Sequence, residues 1–496
     1  MSGAHSPLGK DLQNTFFDSF KDQGDLHCSA VVPSPLNNPV LVSSNALLAA
    51  ELGLNPEHIT DSAMLRLMAG DLTGTDLQPI ALVYSGHQFG VWAGQLGDGR
   101  AMTLGELSVD DIKTGKPQLW DIQLKGAGAT PYSRFADGRA VLRSSIREYL
   151  CSEAMHGLGI GTTRALCLIN SETLVYRENV ESAATVCRVA RSHIRFGSFE
   201  HFHYRSQPEA VKAMADYVIA RHFPQWIEDD LRYVNLITQT VTETAKMIAQ
   251  WQAEGFAHGV MNTDNMSILG ETIDYGPFGF LDVYNPDFIC NHSDTNGRYS
   301  FKNQPSVGLW NLNALATSFM SLLPSEALVT ALKNYEPTFL QHYRQLMASK
   351  LGLEAYSDSD ESLINQLLTL MEENQVDYSL FFRQLCYFSN SNRNVRDMFV
   401  DREAFDDWAA LYVQRLSQQQ SSDQDRSETM LKTNPKYILR NYMAQAAIEK
   451  AVQGDYSEVN LLLEVLQSPF AEHPKASHYA GLPPDWAETI SVSCSS

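Results

Sequence analysis

Apolar residues recur with two different periods along this chain, and the change from one to the other falls near residue 205. Between about 80 and 205 the runs IALVYSG, VWAGQL, AMTLGELSV, LWDIQLKG, RALCLIN, TLVYRE and TVCRVAR are short and rich in β-branched and aromatic residues, and each predicts a strand. One helical pattern interrupts them, ADGRAVLRSSIREYLCSEAMHGLG. Val141, Leu142, Ile146, Tyr149, Leu150, Ala154 and Leu158 form its apolar face, and Ser145, Glu148 and Ser152 a small polar stripe. From about 208 onward long helical patterns take over, including VNLITQTVTETAKMIAQWQAEGF, LWNLNALATSFMSLL and KYILRNYMAQAAIEKAVQG. The first 80 residues mix the extended pieces SAVVPSP and NPVLVSS with two short helical patterns, SNALLAAELGL and SAMLRLMAG, the first capped by Ser44 or Asn45. The polar run SQQQSSDQDRSET at 417–429 has the composition of a mobile loop. A small sheet followed by a helical region predicts an α+β chain with two lobes. Its predicted parts are an N-terminal extension (1–80) packed on the small lobe, a β-rich lobe (81–205), a helical lobe (206–480) and a C-terminal tail (481–496).

Composition sharpens this picture. At 496 residues, 44% hydrophobic and 19% charged, the chain has the make-up of a soluble globular protein. Lys plus Arg is 37 against 58 Asp plus Glu, a formal charge of -21, so the overall field repels nucleic acids and polyphosphates. A phosphate site must then be a concentrated basic pocket, and neither a nucleic-acid partner nor a membrane is expected. No stretch reaches the roughly 18 to 20 apolar residues of a membrane span, and the N-terminus lacks a basic-then-apolar signal pattern, which points to the cytoplasm. A monomer is expected. Seven cysteines are scattered without a CxxC pair. Cys28, Cys151, Cys167, Cys187 and Cys386 lie in segments that suit small buried side chains, whereas Cys290, in PDFICNHSD, and Cys494, third from the end, read as exposed thiols.

Candidate chemistry begins at GHQFGVWAGQLGDGRAMTLGE. Gly86, Gly90, Gly94, Gly97 and Gly99 either shape a tight hairpin or let the backbone approach an anion, with Arg100 supplying charge. Next, the strand LWDIQLKG ends in Lys125, and the following helix offers Glu148, the pairing by which kinase folds position a phosphate-binding lysine. Asp137 and Gly138 form the turn into that helix, with Asp137 either an N-cap or a ligand contact. CRVARSHIRFGSFEHF then concentrates Arg188, Arg191 and Arg195, whose planar guanidinium groups bind phosphate oxygens two at a time.

The segment HGVMNTDNMSILGETIDYGPFGFLD follows a helix predicted at 233–255 and resembles the kinase series HRDxxxxN followed by DFG. His258 and Asn265 are seven apart, as in that motif, and Asp274-Tyr275-Gly276 stands in place of DFG. Asn265 and Asp274 are therefore candidate Mg²⁺ ligands. Val260 occupies the position of the catalytic Asp and cannot accept a proton, which leaves Asp264 as the nearby carboxylate for that role.

These residues also carry a resemblance. YSGHQFGVWAGQLGDGRA, QLKGAGATPYSRFADGRAVLRSSIREYL, RVARSHIRFGSFE, HGVMNTDNMSILGETIDYGPFGFLD and the terminal Cys-Ser-Ser are similar to the selenoprotein O family, also called SelO or YdiU, over nearly the whole chain. The resemblance implies a pseudokinase-like fold that binds ATP in a flipped orientation. It implies transfer of AMP to Ser, Thr or Tyr of proteins with pyrophosphate leaving, and for bacterial members UMP transfer from UTP with Mn²⁺. It further implies nucleotide contacts at Gly97, Gly99, Arg100, Lys125, Asp137, Gly138, Arg188, Arg195 and Asp274. Glu148 would be the partner of the lysine, Asp264 the proton acceptor, and Asn265 and Asp274 the ligands of Mg²⁺ or Mn²⁺. Cys494 stands where animal members carry selenocysteine.

Two other functions fit the same residues. An orthodox kinase would move the γ-phosphate, against which Val260 argues, and a silent nucleotide-gated scaffold would have no need to keep Lys125, Glu148, Asn265 and Asp274 together. A disulfide between Cys290 and Cys494 would pin the tail across the metal-binding segment, a redox control expected from their places in the chain.

Overall fold

The computed structural model describes residues 11–13, 15–20, 26–110, 115–389 and 394–492. Strand-forming and helix-forming segments separate along the chain as their periodicities predict. Strands β1 (Cys28–Ala30), β2 (Val40–Ser44), β3 (Ile80–Leu82), β6 (Ala101–Asp110), β7 (Pro117–Lys125), β9 (Arg164–Tyr176) and β10 (Val180–Ala190) form one antiparallel sheet. Its order is β1-β3-β6-β7-β10-β9-β2, and the short β8 (Ala140–Val141) pairs with β10. The pieces RALCLIN and TLVYRE fuse into the single long β9. Both edge strands, β1 and β2, come from the segment before residue 80, which is thereby built into the sheet. Asn45, and not Ser44, caps the helix Ala46–Glu51 by accepting from Leu48 N at 3.0 Å.

The helix Leu142–Gly157 lies on β9 and β10, and the helices Asn441–Val452 and Ser457–Gln467 pack against it from elsewhere. Twelve of its 16 residues are buried, among them Ser145, Arg147, Glu148, Ser152 and Glu153, so its polar stripe faces protein rather than water. Burying such groups is costly unless they are paired, and most are, although the Ser145 hydroxyl and Arg147 Nε have no partner among the described residues. Glu153 makes a two-pronged ion pair with Arg164, and Arg147 donates to Phe278 O and Asn441 Oδ1. One continuous apolar core joins this helix and the sheet to Ile248, Trp251, Phe278 and Leu462 of the helical part.

Several expectations are corrected. The helix begins at Leu142 behind Val141, because β8 takes Ala140 and Val141, so Asp137 is not its N-cap. The run at 417–429 is not a loop throughout: Ser422 caps a helix over Asp423–Thr433, since its hydroxyl accepts from Asp425 N and acidic residues fill the first turn. In KYILRNYMAQAAIEKAVQG the helix starts only at Asn441. Cys290 is 7% exposed, not a surface thiol, with its Sγ 3.4 Å from both Ala257 O and Pro277 O. Cys494 lies outside the described residues. No described helix is long and apolar enough to cross a membrane.

Candidate active site

The pairing of β7 with β10 sets Gln123 opposite Arg188 and Lys125 opposite Val186. Directly opposed residues share a face, as do residues two apart, so Gln123, Lys125 and Arg188 all project from one side of the sheet. Glu148 meets them there. It accepts from Lys125 Nζ through Oε2 and from Arg188 Nε through Oε1. Arg188 continues the chain, with Nη1 donating to Gln123 Oε1 at 3.2 Å and Nη2 to Asp274 Oδ1 at 2.7 Å. Arg195 completes it, donating from Nη1 to Asp274 Oδ2 and to Asp264 O, with its guanidinium 4.7 Å from the centre of the Tyr84 ring. Three cations and two carboxylates are thus linked in series, leaving one net positive charge.

Burial and neighbours set the charge states. Burial pulls the Lys125 ammonium down to about 8 against the attraction of Glu148. Burial works to raise Glu148 as well, but Arg188 and Lys125 overcome it and hold its carboxyl below the usual range. Asp274 is likewise buried, and Arg195, Arg188 and Lys125 keep it well below the usual range, hence ionised. Its φ of 60° lies in the left-handed region, which Asp tolerates better than most residues.

Local structure explains how the Asn265 and Asp274 segments come together. The helix Arg232–Glu254 stops at Gly255, whose φ of 69° ends it in a left-handed cap. Strand β11 (Phe256–Ala257) then pairs with β12 (Gly279–Phe280), drawing the segments 258–265 and 273–277 side by side. His258 bridges them. Burial lowers its pKa, so its ring is neutral, and Nε2 donates to Ile273 O at 2.9 Å because a carbonyl can only accept.

The glycine-rich stretch divides into a hairpin half and a half that faces a cavity. Strands β4 (Ser85–Gln88) and β5 (Val91–Gln95) make a hairpin whose two-residue turn, Phe89 (φ 51°) and Gly90 (φ 80°), has the left-handed backbone such turns need. Beyond it, the 97–100 turn faces the cavity. A Cβ on Gly97 (φ 132°) would overlap the Tyr132 ring, and one on Gly138 (φ 70°) the Gly128 carbonyl. Thr130 Oγ1 donates to Asp98 O at 2.7 Å and Ser133 Oγ to Gly99 O, which locks the turn to the 126–139 loop.

A cavity of about 630 Å³ opens between these pieces, lined among others by Gly97, Gly99, Arg100, Lys125, Gly138, Arg188, Arg195, Asn265 and Asp274. Six cations and two carboxylates line it, which supplies the basic pocket that a chain of charge -21 requires. A model of the family described as Protein adenylyltransferase SelO matches residues 10–467. The chain belongs to the SelO family. It is 52% identical over 475 residues to the Protein nucleotidyltransferase YdiU of Pectobacterium atrosepticum, covering 94% of this chain and 96% of that protein. It is 51% identical over 470 residues to the protein of that name from Myxococcus xanthus (94% and 95% covered), and 49% over 485 residues to that of Herminiimonas arsenicoxydans (97% and 96%).

Not every residue expected in the site of this SelO-family chain lines the cavity. Glu148 sits behind Lys125. Asp137 is engaged elsewhere: its carboxylate accepts two bonds from Arg177, at 2.8 and 3.0 Å, and one from Arg139 N at 2.9 Å, and it is Arg177 that faces the cavity. Arg191 is absent from the lining. Asp264 is 7% exposed, with Oδ2 accepting from Gln88 Nε2 at 3.2 Å and Oδ1 buried without a partner among the described residues. Burial pushes its carboxyl up to about 7, against Arg195 and the Gln88 bond. Sequence reading missed Tyr84, Tyr132, Arg139 and Arg177. Arg139 had a usable signal, since an Arg directly after the Asp137-Gly138 turn is notable in so acidic a chain, whereas nothing near Arg177 in the sequence marks it.

Asn265 and Asp274 carry the oxygen donors a hard divalent cation uses, although both Asp274 oxygens already accept from Arg188 and Arg195 and a cation would share them through their second lone pairs. Asn265 Nδ2 donates to Val260 O at 3.0 Å, which leaves the amide oxygen as the donor atom for a metal, and Asn265 and Asp274 line the same cavity. No group of three or more His, Cys, Asp or Glu that could hold a metal occurs among the described residues. A cation here would draw its other ligands from nucleotide oxygens and water, the ordinary arrangement for Mg²⁺.

Proposed function

We propose that this chain is a protein adenylyltransferase on a two-lobed, kinase-like scaffold, moving AMP from ATP to Ser, Thr or Tyr hydroxyls of other proteins. The observation that carries the reading is the charge chain Lys125-Glu148-Arg188-Asp274-Arg195 at the wall of a basic cavity. It concentrates guanidinium groups where a kinase needs few, and membership of the SelO family supports the same assignment.

In this reading Arg188, Arg195 and Lys125 hold the β- and γ-phosphates and Arg100 approaches from the 97–100 turn. The nucleotide is flipped relative to a kinase, and the α-phosphorus faces the acceptor. Asp264 takes the proton of the acceptor hydroxyl as its oxygen bonds to the α-phosphorus, and the bond to the β-phosphate oxygen breaks to release pyrophosphate. Asn265 and Asp274 would hold Mg²⁺ or Mn²⁺, which when bound offsets negative charge on the phosphates. Val260 lines the cavity where a kinase carries its base, which counts against γ-phosphate transfer. The same cavity would admit UTP, with UMP transferred instead. Intact-mass measurement of an acceptor protein after incubation with ATP is the test. Added AMP with pyrophosphate released supports the reading, and added phosphate alone refutes it.

A further inference from the structure

We propose that Gln88 is the positioning residue for the Asp264 carboxylate, and that the β4–β5 hairpin holds the loop that presents this carboxylate to the acceptor hydroxyl. This rests on the reading of Asp264 as proton acceptor. Residues 86 and 88 are two apart on β4 and so project to one side, and both meet Asp264. Gln88 Nε2 donates to Oδ2 at 3.2 Å, while the bare backbone of Gly86 lies against the other oxygen, where a Cβ would come within 2.7 Å of Oδ1. The intervening and following residues bind the same loop. His87 N donates to Thr263 Oγ1 at 2.8 Å, and Phe89 N to Asn262 Oδ1 at 3.2 Å, with Tyr299 OH bridging the latter pair at 2.8 and 2.7 Å.

Three consecutive hairpin residues therefore hold three consecutive loop residues, 262 to 264. Among the described residues, Gln88 makes the one hydrogen bond to the carboxylate itself, the Gly86 backbone merely packing on its other oxygen. A neutral amide orients the carboxylate through one hydrogen bond, without the ion pair that Lys or Arg would make. Oδ1, buried and unpartnered among the described residues, has no other side chain to orient it. Gln88 is then the group that decides how Asp264 is turned.

The test compares wild type, Gln88→Leu, Gln88→Asn, Asp264→Asn and the double variant Gln88→Leu/Asp264→Asn. Each is assayed for transfer from α-labelled ATP to an unfolded acceptor protein, with ATP-induced thermal stabilisation as the check on folding and nucleotide binding. Gln88→Leu should lower kcat roughly 10- to 100-fold, as loss of a supporting hydrogen bond does elsewhere. KM for ATP and thermal stabilisation should stay at wild-type values. Gln88→Asn, whose amide is drawn back by one methylene, should fall between the two. In the Asp264→Asn background, Gln88→Leu should cause no additional loss, since a residue acting only through Asp264 has nothing left to position. Wild-type kcat in Gln88→Leu alongside an inactive Asp264→Asn would overturn the proposal and leave the Asp264 reading standing, and so would an equal loss in both backgrounds. Full activity of Asp264→Asn would remove that reading and the proposal with it.

Discussion

The two ends of the candidate site are built on opposite electrostatic terms. At the phosphate end, Glu148 and Asp274 sit between Lys125, Arg188 and Arg195, so every carboxylate oxygen has a cationic donor. At the acceptor end, Asp264 has one neutral donor on Oδ2 and an oxygen without a partner among the described residues. Buried ion pairs of the first kind are rigid, and removing one partner typically costs about 3–5 kcal/mol because the other charge is stranded. A buried carboxylate of the second kind keeps its affinity for a proton. In the proposed reading, binding falls to the cavity wall and proton transfer to Asp264, which is not among the residues lining that cavity, and the contrast can be tested at each end.

The largest effect is expected at Asp274, which belongs to the charge chain and to the proposed cation site. Asp274→Ala should lower nucleotide transfer on the order of 10³-fold, and by stranding Arg188 and Arg195 it should also destabilise the fold by about 3–5 kcal/mol, read by denaturant unfolding. Full transfer in this variant would remove Asp274 from the metal site. Chelation of divalent cations should abolish transfer while leaving the unfolding midpoint of the nucleotide-free protein in place, since the charge chain is held by side chains alone. A midpoint that collapses on chelation would mean that a cation is structural. Glu148→Gln should cost roughly 10- to 100-fold in transfer by loosening Lys125 and Arg188 together, with Asp264 untouched. The smallest effect is expected at Asp137. Its pair with Arg177 is partly exposed, worth at most about 1 kcal/mol, so Asp137→Ala should raise KM for ATP by less than about tenfold and leave kcat unchanged. A drop in kcat with unchanged KM would place Asp137 in the chemistry instead.

Much of the phosphate end was legible in the chain, because it depends on order and spacing. A strand ending in Lys125, a helix carrying Glu148, the seven-residue step from His258 to Asn265 and the DYG at 274–276 are local features. The antiparallel register that sets Arg188 across from Gln123 is not, since strand pairing is decided by contacts far apart in sequence. The same holds for Arg177, which reaches the cavity only because Asp137, 40 residues away, receives its guanidinium. The acceptor end was harder to read. The sequence leaves Asp264 as the nearby carboxylate, but the hairpin that holds its loop lies 176 residues earlier at Gln88, and its glycines carry no sign of that contact. Helix starts at Leu142 and Asn441 were misjudged where a short strand or an irregular lead-in claimed residues whose spacing suits a helix.

The central claim is that the α-phosphorus, not the γ-phosphorus, meets the acceptor. Parallel incubations of the protein and an acceptor protein with ATP labelled on the α- or on the γ-phosphate measure this directly, with Asp274→Ala as the control. The account predicts protein-bound label from the α position alone, lost in Asp274→Ala; label carried over from the γ position and not the α would contradict it.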